Sequence, residues 1–183
     1  GGKIGVYTGL LPIAKDETGL AVVLGHEVAH ALARHGAERA TQGIIATLGE
    51  EALTLGIDAI LGKQDPKVNA AISTAYGLGT NLGVMLPFSR DHELEADAIG
   101  LQLMAAAGYD PRHALEFWKR MEAASKGAPP EFLSTHPSDA NRIAALEKLM
   151  HKAVATYEGA GKATNAELPA RSVPVQPKPA TTT

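Results

Sequence analysis

Between Gly19 and Ala33 only three residues are neither apolar nor glycine, and all three are ionisable: His26, Glu27 and His30. A stretch this apolar on every face predicts a buried helix. At about 100° per residue, His26 and His30 project from nearly the same side of it, one turn apart. Burying three ionisable groups is costly unless something compensates them, and a metal ion does so directly. Two imidazoles at this spacing hold one Zn²⁺, with Glu27 beside them to take a proton from a zinc-activated water. The competing reading is a core helix whose histidines are satisfied by ordinary hydrogen bonds. The intervening glutamate argues against it.

Two histidines leave tetrahedral zinc short of protein ligands, since catalytic sites usually supply three and keep one position open. The segment Ser89-Arg90-Asp91-His92-Glu93-Leu94-Glu95-Ala96-Asp97 reads as the start of a second helix, opened near Ser89, with acids in its first turns to suit the helix dipole. Helical phase divides those acids. Asp91 and Glu95 share one side with Gln102 and are expected in solvent. Glu93 and Asp97 share an arc with Gly100, Leu101 and Met104, where unpaired carboxylates are expensive. Glu93 is therefore the expected third ligand. Asp97, one turn on, is placed to accept the free ring N–H of a ligand histidine.

Taken together, His26-Glu27-Val28-Ala29-His30, the Glu93-to-Asp97 pattern E-x-x-A-D and Ser134-Thr135-His136-Pro137 closely resemble the M48 family of zinc metallopeptidases, in particular its soluble bacterial, periplasmic-type members. Lys3 to Leu11 and Ser89-Arg90 fit the same pattern, so the resemblance runs from about Gly1 to Leu149. It implies one zinc per chain, held by His26, His30 and Glu93, with Glu27 as general base and Asp97 as the buttress of a ligand imidazole. It also gives His136 a role near the metal, either stabilising the oxyanion or capping the zinc in a resting state. From the residues alone, His136 reads as a loop histidine before a helix, and Arg142 within that helix as an exposed arginine. The implied activity is endopeptidase cleavage of unfolded or misassembled proteins. The alternative is a latent or chaperone-like zinc protein with low turnover.

The expected fold is α+β and mainly helical: a zincin-like domain over residues 1–158 with a small sheet packed on the zinc helix, then a disordered Pro/Ala/Thr-rich tail over 159–183. Ile4 to Leu11 is rich in β-formers and reads as a short strand. The resemblance makes it a substrate-binding edge strand, with Val6, Tyr7 and Thr8 pairing with an extended polypeptide. The zinc helix is expected to end near Gly36. Further helices are expected over Ala37 to Leu61, Asp110 to Ser125 and about Ser138 to Tyr157.

Val68 to Ser89 carries no charge and is long enough to cross a bilayer, but Asn69, Ser73, Thr74, Thr80, Asn81 and Pro87 weaken that signal. A small-residue helix and loop beside the site, able to act as a gate, is the expectation.

The net charge of −3, without a basic run, argues against nucleic acid as a partner. No cysteine is present, which excludes a disulfide framework and thiolate ligands. The chain opens at Gly1 rather than Met, so it reads as a processed or truncated piece, and any signal peptide or lipid anchor would lie upstream. By resemblance the location is the bacterial periplasm or a membrane-associated envelope site.

Overall fold

The computed structural model describes residues 4–124, 136 and 140–168. A 3₁₀ turn at Thr8–Leu10 leads into α1 (Leu11–Ala14), followed by α2 (Glu17–Leu32), α3 (His35–Leu61) and α4 (Pro66–Thr80). A π turn, Asn81–Met85, joins α4 to α5 (Leu86–Ala106), and α6 (His113–Ala124) and α7 (Ala140–Gly159) complete the order. The chain divides into two compact units, one of residues 1–23 and 104–183, the other of residues 24–103. The divisions fall within α2 and α5.

In the first unit α1 packs on α6, and α6 on α7. Its core holds Leu10, Ala14, Phe117, Trp118, Met121 and Leu146, with Phe117 and Trp118 edge-to-face at 5.4 Å. Arg142, expected in solvent, is buried with its guanidinium 3.9 Å from the centre of the Trp118 ring, where the π face attracts the cation. Arg120 ties α6 to α1 by donating from Nε to the Ile13 carbonyl at 2.9 Å.

The start of α2 is capped from two directions. Asp16 accepts from the Gly19 N–H at 2.8 Å, and Asn165 accepts from the Thr18 N–H at 3.0 Å. The Glu17 N–H donates to the Ala166 carbonyl, and the Leu168 N–H to that of Lys15. N–H groups that the helix cannot satisfy internally thus find partners in the stretch after α7. Residues of the segment read as a tail from Gly159 meet the start of α2 through Asn165 and Ala166 and the preceding Lys15 through Leu168, and residues 169–183 lie outside the described residues. Gly108, with φ +86°, approaches this stretch so closely that a Cβ there would lie 2.0 Å from the Gly161 oxygen.

The expected small sheet is not formed among the described residues. Ile4 to Leu11 contains no strand, and from Thr8 onward the chain is helical. A strand is stabilised by ladder hydrogen bonds and cross-strand side-chain pairs. Here Ile4, Val6 and Tyr7 stay exposed, and Pro12 fits the first turn of α1, where its missing N–H costs nothing. The one extended pairing among the described residues is an isolated antiparallel bridge between Asp16 and Glu167.

In the second unit α2 ends at Leu32, earlier than the expected Gly36, because Arg34 adopts a left-handed conformation (φ 62°) that redirects the backbone into α3. Gly62, with φ 78°, and the Asp65 cap on the Lys67 N–H separate α3 from α4. The uncharged segment is helix throughout rather than helix and loop. Its π turn closes with the Leu86 N–H on the Asn81 carbonyl, immediately before Pro87, which has no N–H to offer a regular turn. No helix among the described residues is long and apolar enough to cross a membrane. Ile44, Ile45, Leu48 and Leu55 of α3 and Leu78 of α4 are nonetheless exposed.

Candidate metal centre

Helix α2 delivers His26 and His30, and α5 delivers Glu93 and Asp97, all within the second unit. The helices can approach because glycine faces glycine. A Cβ on Gly25 would lie 2.7 Å from the Gly100 oxygen, and one on Gly100 would lie 2.8 Å from the His26 nitrogen. Both are closer than real side chains tolerate. With no Cβ at either position, the α5 carboxylates come within reach of the α2 imidazoles.

Three donor groups converge there. Nε2 of His26 is 3.0 Å from Nε2 of His30, and the Glu93 carboxylate lies 3.3 Å from each, through Oε2 and Oε1 respectively. Bonds of about 2.1 Å in tetrahedral geometry place neighbouring donors about 3.4 Å apart, so the set is at the spacing zinc requires. His26 and Glu93 are each about 1 % exposed. A carboxylate so enclosed, facing one buried and one half-buried imidazole, calls for a compensating cation. Two nitrogens and one hard oxygen match the chemistry of a catalytic zinc site.

Away from the cluster, Nδ1 of His26 lies 2.9 Å from Oδ1 of Asp97. With Nε2 facing the donor cluster, Nδ1–H donates to the carboxylate, which sets both tautomer and ring plane. Glu27 follows His26 on α2, half-buried, with its Oε1 enclosed. Glu95 and Asp91 are exposed, as helical phase predicts.

The structure therefore brings His26, His30, Glu93 and Asp97 together in one unit, with Glu27 next in sequence to His26. His136 is half-buried and belongs to the first unit, and its neighbours Ser134, Thr135 and Pro137 lie outside the described residues. Val6, Tyr7 and Thr8 also belong to the first unit, exposed and outside any strand. Sequence reasoning missed the facing glycines, although Gly25 adjoins the histidine motif and Gly100 shares the phase of Glu93. It also missed His35, which lies five residues beyond His30 and sits against it.

Fold and site together describe a helical domain with a candidate metal centre formed by the two histidines of H-E-x-x-H and a glutamate from a second helix. Residues 1–150 match peptidase family M48, and the chain belongs to that family. Family and donor set agree on zinc as the cofactor. Over 155 residues the chain is 41% identical to the mitochondrial metalloendopeptidase OMA1 of Schizosaccharomyces pombe, covering 84% of this chain and 42% of that protein. It is 38% identical over 164 residues to the human mitochondrial metalloendopeptidase OMA1, covering 86% of this chain and 30% of that protein. The beta-barrel assembly-enhancing protease of Escherichia coli is 31% identical over 150 residues, covering 79% and 30%. The chain thus spans less than half the length of these curated relatives. No solved structure matches it.

Proposed function

We propose that this chain is the catalytic part of a zinc-dependent endopeptidase acting on unfolded or misassembled polypeptides. The observation that carries this reading is the convergence of His26, His30 and Glu93 at ligand spacing, with Glu27 following His26 on the same helix. A purely structural zinc site has no use for an acid in that position. The relatives named as metalloendopeptidases support polypeptide cleavage, and the one named as a β-barrel assembly-enhancing protease supports a link to protein assembly.

Bound zinc supplies Lewis acidity, polarising the scissile carbonyl and acidifying water. The protein's own groups do the rest. Glu27 takes a proton from the attacking water and passes it to the leaving amine, so no covalent intermediate is needed. Asp97 keeps the His26 ring aimed through the Nδ1 hydrogen bond. His136 is assigned to this site as well, either holding the developing oxyanion or covering the open metal position. Cleavage lost in His136→Ala indicates the first role, and cleavage gained the second. Substrate contact is assigned to the exposed Val6, Tyr7 and Thr8. Association with an envelope membrane belongs to the same reading, supported by the exposed apolar side chains of α3 and α4.

The test is Glu27→Gln, with zinc content and casein cleavage measured together. Retained zinc with cleavage reduced at least a hundredfold is expected, in line with the usual contribution of a positioned base. Full activity in this variant removes the assignment. Zinc without cleavage in the wild type favours a latent or chaperone-like protein.

A further inference from the structure

Four side chains behind His30 form an interlocked pair of histidine–carboxylate contacts between α3 and α5, within the second unit. His35 of α3 reaches Glu95 of α5, with Nε2 to Oε2 at 3.1 Å. His92 of α5 reaches Glu38 of α3, with Nε2 to Oε2 at 2.9 Å. The His35 and His92 rings stack, with centroids 4.0 Å apart and planes 12° from parallel. Both histidines are buried, while Glu38 and Glu95 are about half-exposed. Nδ1 of His35 meets Nδ1 of His30 at 2.8 Å.

That last contact has one consistent proton arrangement. Nε2 of His30 faces Glu93 and His26, so as a ligand nitrogen it carries no proton, and the proton of the neutral ring sits on Nδ1. It therefore donates to Nδ1 of His35. His35 must then carry its own proton on Nε2, and Nε2 is the atom that faces the Glu95 carboxylate. The two ends of the chain require the same His35 tautomer independently. Reversing the contact would place a proton on the metal-facing nitrogen of His30 and set a bare nitrogen of His35 against a carboxylate.

We propose that His35 and Glu95 are positioning residues for His30, doing through an intervening imidazole what Asp97 does directly for His26, with His92 and Glu38 holding the His35 ring in its plane. The backbone is arranged for this. The left-handed Arg34 turns the chain so that His35, the first residue of α3, comes back against His30 on α2. A left-handed arginine is unfavourable in itself and persists where surrounding structure imposes it. The two ligand histidines are thus oriented by different devices, one buried carboxylate and one relay ending at a half-exposed carboxylate.

The inference rests on His30 being a zinc ligand, and the experiment separates the two. Zinc affinity is measured by chelator competition in wild type, His35→Phe, His35→Asn and Glu95→Gln, with folding checked by circular dichroism. His35→Phe keeps a ring against His92 but offers His30 no acceptor, and zinc binding should weaken about ten- to hundredfold. His35→Asn places an amide oxygen near the lost Nδ1 and should recover most of that loss, although it fills the buried space less well. Glu95→Gln, on an exposed side chain, should give a smaller loss. In the cobalt-substituted protein, the exchangeable ring N–H signal of His30 should broaden in His35→Phe while that of His26 is unchanged. Wild type that binds no zinc overturns both the metal reading and the relay. Zinc-binding wild type with His35→Phe within twofold of it, or with Asn no better than Phe, overturns the relay alone.

Discussion

Nδ1 of His26 lies 2.9 Å from Oδ1 of Asp97, and both side chains are about 2 % exposed. A buried carboxylate that accepts from the far side of an imidazole orients the ring and makes its other nitrogen a better donor. Asp97→Ala removes that partner and leaves His26 free to rotate. Zinc affinity should fall about ten- to hundredfold, measured by chelator competition. The stabilisation that added zinc gives the wild type in thermal unfolding should shrink in parallel. An unchanged affinity would show that packing alone orients His26.

The facing glycines of α2 and α5 predict contrasting alanine variants. Gly100→Ala places a methyl 2.8 Å from the His26 nitrogen and 2.9 Å from the Gly25 carbonyl carbon, so backbone must move. A cost of about 1–3 kcal/mol is expected, with weaker zinc binding as Glu93 and Asp97 retreat from His26. Gly56, inside α3 with open space where a Cβ would sit, is the control. Gly56→Ala should stabilise the protein by up to about 1 kcal/mol. Denaturant unfolding of both variants tests the pair, and equal effects would remove the close-approach argument.

Asn165 caps the helix that carries both histidines. Asn165→Ala leaves the Thr18 N–H without this acceptor, and a loss of about 1 kcal/mol is expected. Urea unfolding of the purified variant reads it directly. No change in the midpoint would mean that the Asp16 cap and the Glu17–Ala166 pairing suffice.

Asp110 titrates lower than a free aspartate because the Arg112 side chain donates to both carboxylate oxygens, Nε to Oδ1 at 2.8 Å and Nη2 to Oδ2 at 2.6 Å. A carboxylate with a depressed folded value contributes stability above its unfolded pKa of about 3.9, and that contribution is lost as pH falls through the lower folded value. Arg112 is largely exposed, so the effect on stability is small. Carboxyl carbon NMR should show Asp110 moving up towards the ordinary aspartate range in Arg112→Ala. An unmoved titration would assign the depression to another donor.

What the sequence determined by itself is what helical periodicity carries. Four-residue spacing placed His26 beside His30 and Glu93 beside Asp97, and phase turned Glu93 and Asp97 inward while leaving Asp91 and Glu95 outward. Those relations follow from about 100° per residue, whatever the rest of the chain does. Relations between segments distant in the chain were a matter for tertiary structure. The approach of Gly25 to Gly100 set the distance from imidazole to carboxylate, and the contact of α3 with α5 gave the outward Glu95 a buried partner in His35. The same held for the strand that did not form. Ile4, Val6 and Tyr7 favour extended backbone, but a strand exists only where another lies beside it, and local propensity supplies no partner. Arg142 likewise found its place over Trp118, a contact that no spacing along its own helix records.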